Sequence, residues 1–244
     1  MASAKQFVLE ICVESIELAR EAQRGGADRI ELCRQLSLEG LTPSFELMQR
    51  AREQVSLPLH VLIRPRAGNF CYSDVEFEQM EEEIVAAKRL AMDGIVLGIL
   101  NSDHTIDVNR TRQLVALAYP LRVTFHRAFD HTPNLMQALE DVVCAGANRI
   151  LTSGGKDQAI SGLSMLSQLI ERASNRVIIM AGGGINEQNV AQIGRISSLR
   201  EFHCSLGQGS ANSGTGQPRF FEERVRNLYR SIATANHSSL LVKS

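Results

Sequence analysis

Gly26-Ala27-Asp28-Arg29-Ile30 returns almost unchanged as Gly146-Ala147-Asn148-Arg149-Ile150, 120 positions later and about halfway along the 244-residue chain. In both copies a helical pattern runs into the glycine and a short apolar strand follows the arginine. A weaker third copy, Met92-Asp93-Gly94-Ile95-Val96, lies between them. A unit of roughly 30 residues, repeated about eight times, is the spacing of a (β/α)8 TIM barrel. The chain therefore reads as an α/β protein forming a single such barrel. Barrels of this kind place their chemistry at the C-terminal ends of the strands, which is where candidate residues are sought.

Working outward from the repeat, short β-branched or aliphatic runs predict strands over 7–12, 29–33, 59–64, 94–98, 122–126, 149–152, 177–181 and 201–204. Helices are expected between them, over 15–24, 43–53, 74–92, 107–118, 134–145, 159–173, 186–193 and 219–232. A Glu14/Ser15 cap is expected at the first helix, and Pro43 at the first position of the second. Acidic residues crowd the start of the third, as the helix dipole prefers. The barrel is expected over 1–235, with a Gly/Ser/Asn-rich loop over 206–218 and a flexible tail over 236–244.

Composition excludes several classes. A net charge of −1 gives no global attraction to nucleic acid or membrane, and no apolar run approaches the ~18 residues of a membrane span. The N-terminal stretch has no signal-peptide apolar region. Five scattered cysteines form no disulfide framework, so a cytoplasmic protein with reduced thiols is expected.

At the strand ends, alternation puts Glu10 and Cys12 on one face of the first strand, and Glu31 and Cys33 on one face of the second. Neighbouring strands lie about 4.8 Å apart, which brings the two thiols close. Soft thiolates suit Cu(I) as a metal partner, whereas unpaired cysteines also pack as small hydrophobes. The third strand leads into Arg64-Pro65-Arg66, two guanidinium groups suited to a carboxylate or phosphate. Asp103 is a mouth residue able to pair with either. The fifth strand runs into His126-Arg127-Ala128-Phe129-Asp130, a candidate general base or metal ligand, an anion ligand and an orienting carboxylate. Ser153, Gly154, Gly183 and Gly184 offer backbone N–H groups to an anion. His203 adds a candidate ligand on the eighth strand. His60, at the start of its strand, reads as structural. No organic cofactor is indicated.

With those residues in view, the chain resembles the CutC family of copper homeostasis proteins over nearly its full length. The resemblance is carried by Leu9-Glu10-Ile11-Cys12, residues 26–33, Gly40-Leu41-Thr42-Pro43-Ser44, 64–70, 124–130, 152–155, 181–185 and His203. It implies a cytoplasmic (β/α)8 barrel, often a homodimer, associated with copper tolerance, with Cys12 and Cys33 as the Cu(I) ligands. The chain departs from the family pattern at Glu39 and His104, where glycine is usual. Two functions stay open at this point. One is copper homeostasis through the strand-end cysteines. The other is a TIM-barrel enzyme acting on a small anionic or phosphorylated metabolite, with His126 and Asp130 catalytic and copper effects indirect. A purely structural role does not call for polar groups converging on strand ends.

Overall fold

The computed structural model describes residues 7–207 and 218–241. Strand and helix alternate throughout: β1 (Val8–Val13), α1 (Ile16–Gly25), β2 (Arg29–Leu32), α2 (Phe45–Gln54), β3 (Leu59–Leu62), α3 (Asp74–Arg89), β4 (Gly94–Leu97) and α4 (Val108–Ala118). The second half continues with β5 (Arg122–Phe125), α5 (Leu135–Ala145), β6 (Arg149–Thr152), α6 (Leu163–Ala173), β7 (Ile178–Ala181), α7 (Val190–Ile193), β8 (Glu201–Cys204) and α8 (Pro218–Leu241). All eight strands pair in parallel, and β8 returns to β1 to close the barrel.

The repeated pentapeptide has a mechanical explanation. Gly26 and Gly146 end α1 and α5 in the left-handed region, at φ 100° and 89°, where a side chain would be strained. Two residues later Asp28 both donates its N–H to the Leu9 carbonyl (2.8 Å) and accepts the Leu9 N–H on its carboxylate (2.9 Å). Asn148 makes the same reciprocal pair with Val123. Asp93, in the weaker copy, makes it with Leu59. A short side chain with an acceptor oxygen is thus required there, and it fixes the register of β1/β2, β3/β4 and β5/β6.

The alternating strand faces build two cores. Outward residues such as Ile11, Ile30, Val61, Ile95, Phe125 and Phe202 pack against the helices. Inside the barrel lies a second, small cluster of Cys12, Cys33, Leu62 and Val96. Beneath it the interior is ionic. Arg29 binds Glu10 and, at 2.6 Å, Glu201. Arg149 grips the same Glu201 with two nitrogens at 2.5 and 3.1 Å and reaches Thr124 Oγ1 at 3.2 Å. The arginine of each pentapeptide copy therefore closes on one carboxylate. Buried charges persist only when paired in this way.

Several boundaries differ from the sequence expectation. Ser44, not Pro43, begins the second helix: its Oγ accepts the Leu47 N–H at 3.2 Å, which leaves Pro43 outside. Ala91 turns left-handed (φ 52°) and ends α3 at Arg89. Most of the sixth helix's expected first turn is a separate short 3-10 turn, Ala159–Ser161. Helix α8 carries its backbone to Leu241, through much of the expected tail, while 242–244 lie outside the described residues. Of the expected loop over 206–218, residues 208–217 also lie outside them.

Candidate functional site

A cavity of about 820 Å³ opens at the C-terminal ends of the strands, and its lining includes Cys12, Glu31, Arg64, His126, Arg127 and His203. Cys12 Sγ and Cys33 Sγ are 3.4 Å apart. Cys12 lines the cavity, whereas Cys33 is fully buried behind it and directs its thiol at the Val13 carbonyl (3.6 Å). Gly40 sits against Cys33, so the loop after β2 presses on the thiol pair. The Cys33 hydrogen bond, burial and the nearby Glu31 and Glu10 carboxylates hold the Cys12 thiol well above its ordinary pKa. A metal that binds there must displace its proton.

The register places Cys12 directly opposite Glu31. Cys12, Glu31 and His203 offer ligand atoms all within 4.8 Å of one another. His203 Nδ1 lies 2.9 Å from Glu10 and 3.4 Å from Glu31. Burial opposes charge on this imidazole, yet the two carboxylates prevail and raise its pKa above the ordinary value. Burial pushes Glu31 up to about 7, with His203 opposing. Glu10, fully enclosed, is held well below the carboxylate range by Arg29, His203 and His60 against the cost of burial. It belongs to the ionic layer under the site. His60 lies there too, its pKa driven to about 4 by burial, in keeping with a structural role.

The other expected residues divide. Arg64 is 2% exposed, and its guanidinium donates to the carbonyls of Leu38 (2.8 Å), Gly40 (2.9 Å) and Gly68 (3.2 Å). Arg66 is not brought to the cavity. It binds Glu76 at 2.5 Å and the Asn69 and Cys71 carbonyls at 2.8 Å, and so organises its own loop. Asp103 is exposed and engaged locally by Thr105. His104, beside it, is exposed as well.

His126 lines the cavity, but its chemistry differs from that of the expected base. Nδ1 accepts the Ala128 N–H at 3.1 Å, and burial, reinforced by the Arg64 charge, drops the pKa to about 3. The ring is neutral with its hydrogen on Nε2, which makes it a donor. Asp130 stands outside the cavity lining and is saturated. It takes Arg127 Nε (2.8 Å), Thr152 Oγ1 (2.5 Å), Ser153 N (3.0 Å) and Oγ (2.9 Å), and Gly155 N (3.0 Å). The expected Ser153–Gly154 anion cradle is therefore occupied by the protein's own carboxylate, and Gly154 N binds Thr152 Oγ1. Asp130 does orient Arg127, which stays on the cavity wall beside Gly183 and Gly184.

Sequence reasoning missed Arg29, Arg149 and Glu201. The signal was available for Arg29 and Glu201, which lie two residues from Glu31 and His203, whereas Arg149 shares its strand face with the apolar Leu151.

The CutC family model matches residues 7–208. The copper homeostasis protein cutC homolog of Homo sapiens is 47% identical over 203 residues, covering 83% of this chain and 74% of that protein. A family protein CutC of Chromobacterium violaceum is 46% identical and covers 81% of this chain and 80% of its own length. The crystal structure of CutC from Streptococcus agalactiae superposes with a TM-score of 0.77 at 33% identity, over 81% of this chain and 97% of that one. Together with the closed eight-stranded barrel, these matches establish that the chain belongs to the CutC family.

Proposed function

We propose that this protein holds Cu(I) at the floor of its mouth cavity, through the thiolates of Cys12 and Cys33 with the His203 imidazole alongside. The single observation that carries the reading is the 3.4 Å contact between the two sulfurs, with one of them facing the cavity. Two thiolates and an imidazole suit a soft monovalent ion, and the Cys12–Glu31–His203 grouping shows that the imidazole stands within reach of the outer sulfur. The enclosing Leu62 and Val96 limit water at the thiols. None of the described cysteines is in a disulfide, which suits a reducing, cytoplasmic setting. No described helix is long and apolar enough to cross a membrane. The homodimer follows from the family resemblance and is read by sedimentation.

The test is an anaerobic titration of Cu(I) into reduced protein against a chromogenic chelator. One-to-one binding that is lost in Cys12→Ser and Cys33→Ser, and weakened in His203→Asn, supports the reading. Equal binding by wild type and both serine variants defeats it.

A further inference from the structure

The mouth cavity is far larger than a metal ion needs. Its volume of about 820 Å³ falls within the roughly 300–1,000 Å³ of small-molecule pockets. The wall formed by β3 to β5, across from the thiols, has features that copper holding does not use. Arg64 is a buried cation whose hydrogen-bond partners are neutral carbonyls. Among the described residues its sole carboxylate neighbour within 4 Å is Glu39, at 3.7 Å, on a side chain 82% exposed. A buried charge compensated only by one long contact to an exposed carboxylate is costly, and a ligand's anionic group supplies a closer partner.

His126 adds an independent observation. The residue is 6% exposed, and its Nε2–H has no hydrogen-bond partner although the ring lines the cavity. The ring fits because Gly98 follows β4, where a Cβ would stand 2.5 Å from the imidazole. Phe70 joins the two groups: its ring lies 4.9 Å from His126, and the Arg64 guanidinium carbon lies 5.1 Å from its centroid. At the outer edge Arg127 directs Nε and Nη2 to protein partners, and no bond engages its Nη1 among the described residues.

We propose that this wall binds a small organic anion, a carboxylate or a phosphate ester, whose charged oxygens face Arg64 and accept the His126 Nε2–H. The body of the ligand lies against Phe70, and Arg127 Nη1 meets its more distant polar groups. This site shares the cavity with the thiols but none of their ligand atoms, so it stands or falls separately from the copper reading.

The test uses thermal unfolding of the whole protein in inorganic phosphate and, separately, malonate, each compared with chloride at equal ionic strength. Wild type and Arg122→Gln, a control at an exposed arginine, should show a saturable rise in Tm. Arg64→Gln should lose the rise. His126→Asn keeps an acceptor for the Ala128 N–H but removes the cavity-facing donor, and should bind at least about tenfold more weakly. If Arg64→Gln does not fold, His126→Asn decides. A response to phosphate alone assigns a phosphate ester, and one to malonate alone assigns a carboxylate. Equal shifts in all the folded proteins, or no shift with either anion, overturn the proposal. An unchanged Cu(I) titration in His126→Asn separates loss of this site from loss of the thiol site.

Discussion

The sulfur of Cys12 stands 3.4 Å from that of Cys33, one on the cavity surface and the other sealed behind it. That asymmetry lets an outside reagent reach the pair through Cys12 alone, so the two thiols act in sequence rather than as equals.

A mild oxidant such as diamide should therefore convert the pair to one intramolecular disulfide, found by peptide mapping as a Cys12–Cys33 link. Cys71 and the exposed Cys144 should not appear in it. The oxidised protein should no longer take up Cu(I). A map showing Cys12 joined to any other cysteine would mean that the strands cannot bring the pair to bonding geometry.

Copper affinity should fall steeply with acidity. The Cys12 thiol is held well above its ordinary pKa by Cys33 and by burial, so binding at neutral pH must release its proton. Affinity should rise about tenfold per pH unit for each thiol proton displaced. Competition titrations at three pH values, corrected for the chelator's own protonation, read this slope. A flat profile would rule out thiolate coordination.

The ionic layer predicts a non-additive cycle. Glu201→Leu leaves Arg149 without a carboxylate and should cost about 3–5 kcal/mol in chemical denaturation. Arg149→Met should cost less, because Glu201 keeps Arg29. Combining the two should recover part of the Glu201→Leu loss, through a coupling of the size expected for contacting charges. Strict additivity would mean that the pair contributes no interaction energy.

Acid stability should depend on His126. Its folded-state pKa, about 3, lies below the ordinary 6.5, so the unfolded chain binds the extra proton. The contribution is complete above 6.5 and is lost as pH falls towards 3, at about 1.4 kcal/mol per pH unit. Glu31, raised to about 7, acts in the opposite direction between its unfolded value and 7. Comparison with His126→Asn isolates the histidine: the wild type should lose stability more steeply on acidification than the variant. Parallel curves would show that the ring is not buried neutral.

Much of the fold was legible because the barrel's period is written in local chemistry. The glycine that stops a helix and the Asp or Asn that pins the next strand recur as visible letters, so strand order and mouth position followed from them. The thiol pair was legible for the same reason, since two even spacings on adjacent strands decide it. The ionic layer was not, because the pentapeptide arginine marks a strand start without saying that two copies meet on Glu201. Asp130 orients Arg127 as expected but stands outside the cavity, for a related cause. Sequence shows a carboxylate after the fifth strand and a Ser-Gly-Gly turn after the sixth, but not that the two satisfy each other. The two departures from the family pattern were legible only as letters. Glu39 and His104 both adopt left-handed backbone, at φ 66° and 64°, the conformation that favours the glycine expected there from the resemblance.

Those two positions give a further expectation. Glu39→Gly and His104→Gly should each be neutral or stabilising by up to about 1 kcal/mol, against the usual penalty for introducing glycine. Denaturant midpoints of the two variants check it, and a clear loss in both would place the compensation in side-chain contacts.

The charge pairs of the barrel interior also divide along the repeat. Glu10 and Arg29 belong to the first half of the chain, Arg149 and Glu201 to the second, while Arg29–Glu201 and Glu10–His203 cross the division. A chain cut between α4 and β5 would leave each piece with its own arginine–carboxylate pair, while Arg29, Glu10 and Glu31 on one side and Glu201 and His203 on the other would lose their crossing partners. The two pieces thus carry complementary electrostatic seams, and the closed barrel is the arrangement in which both seams are joined at once.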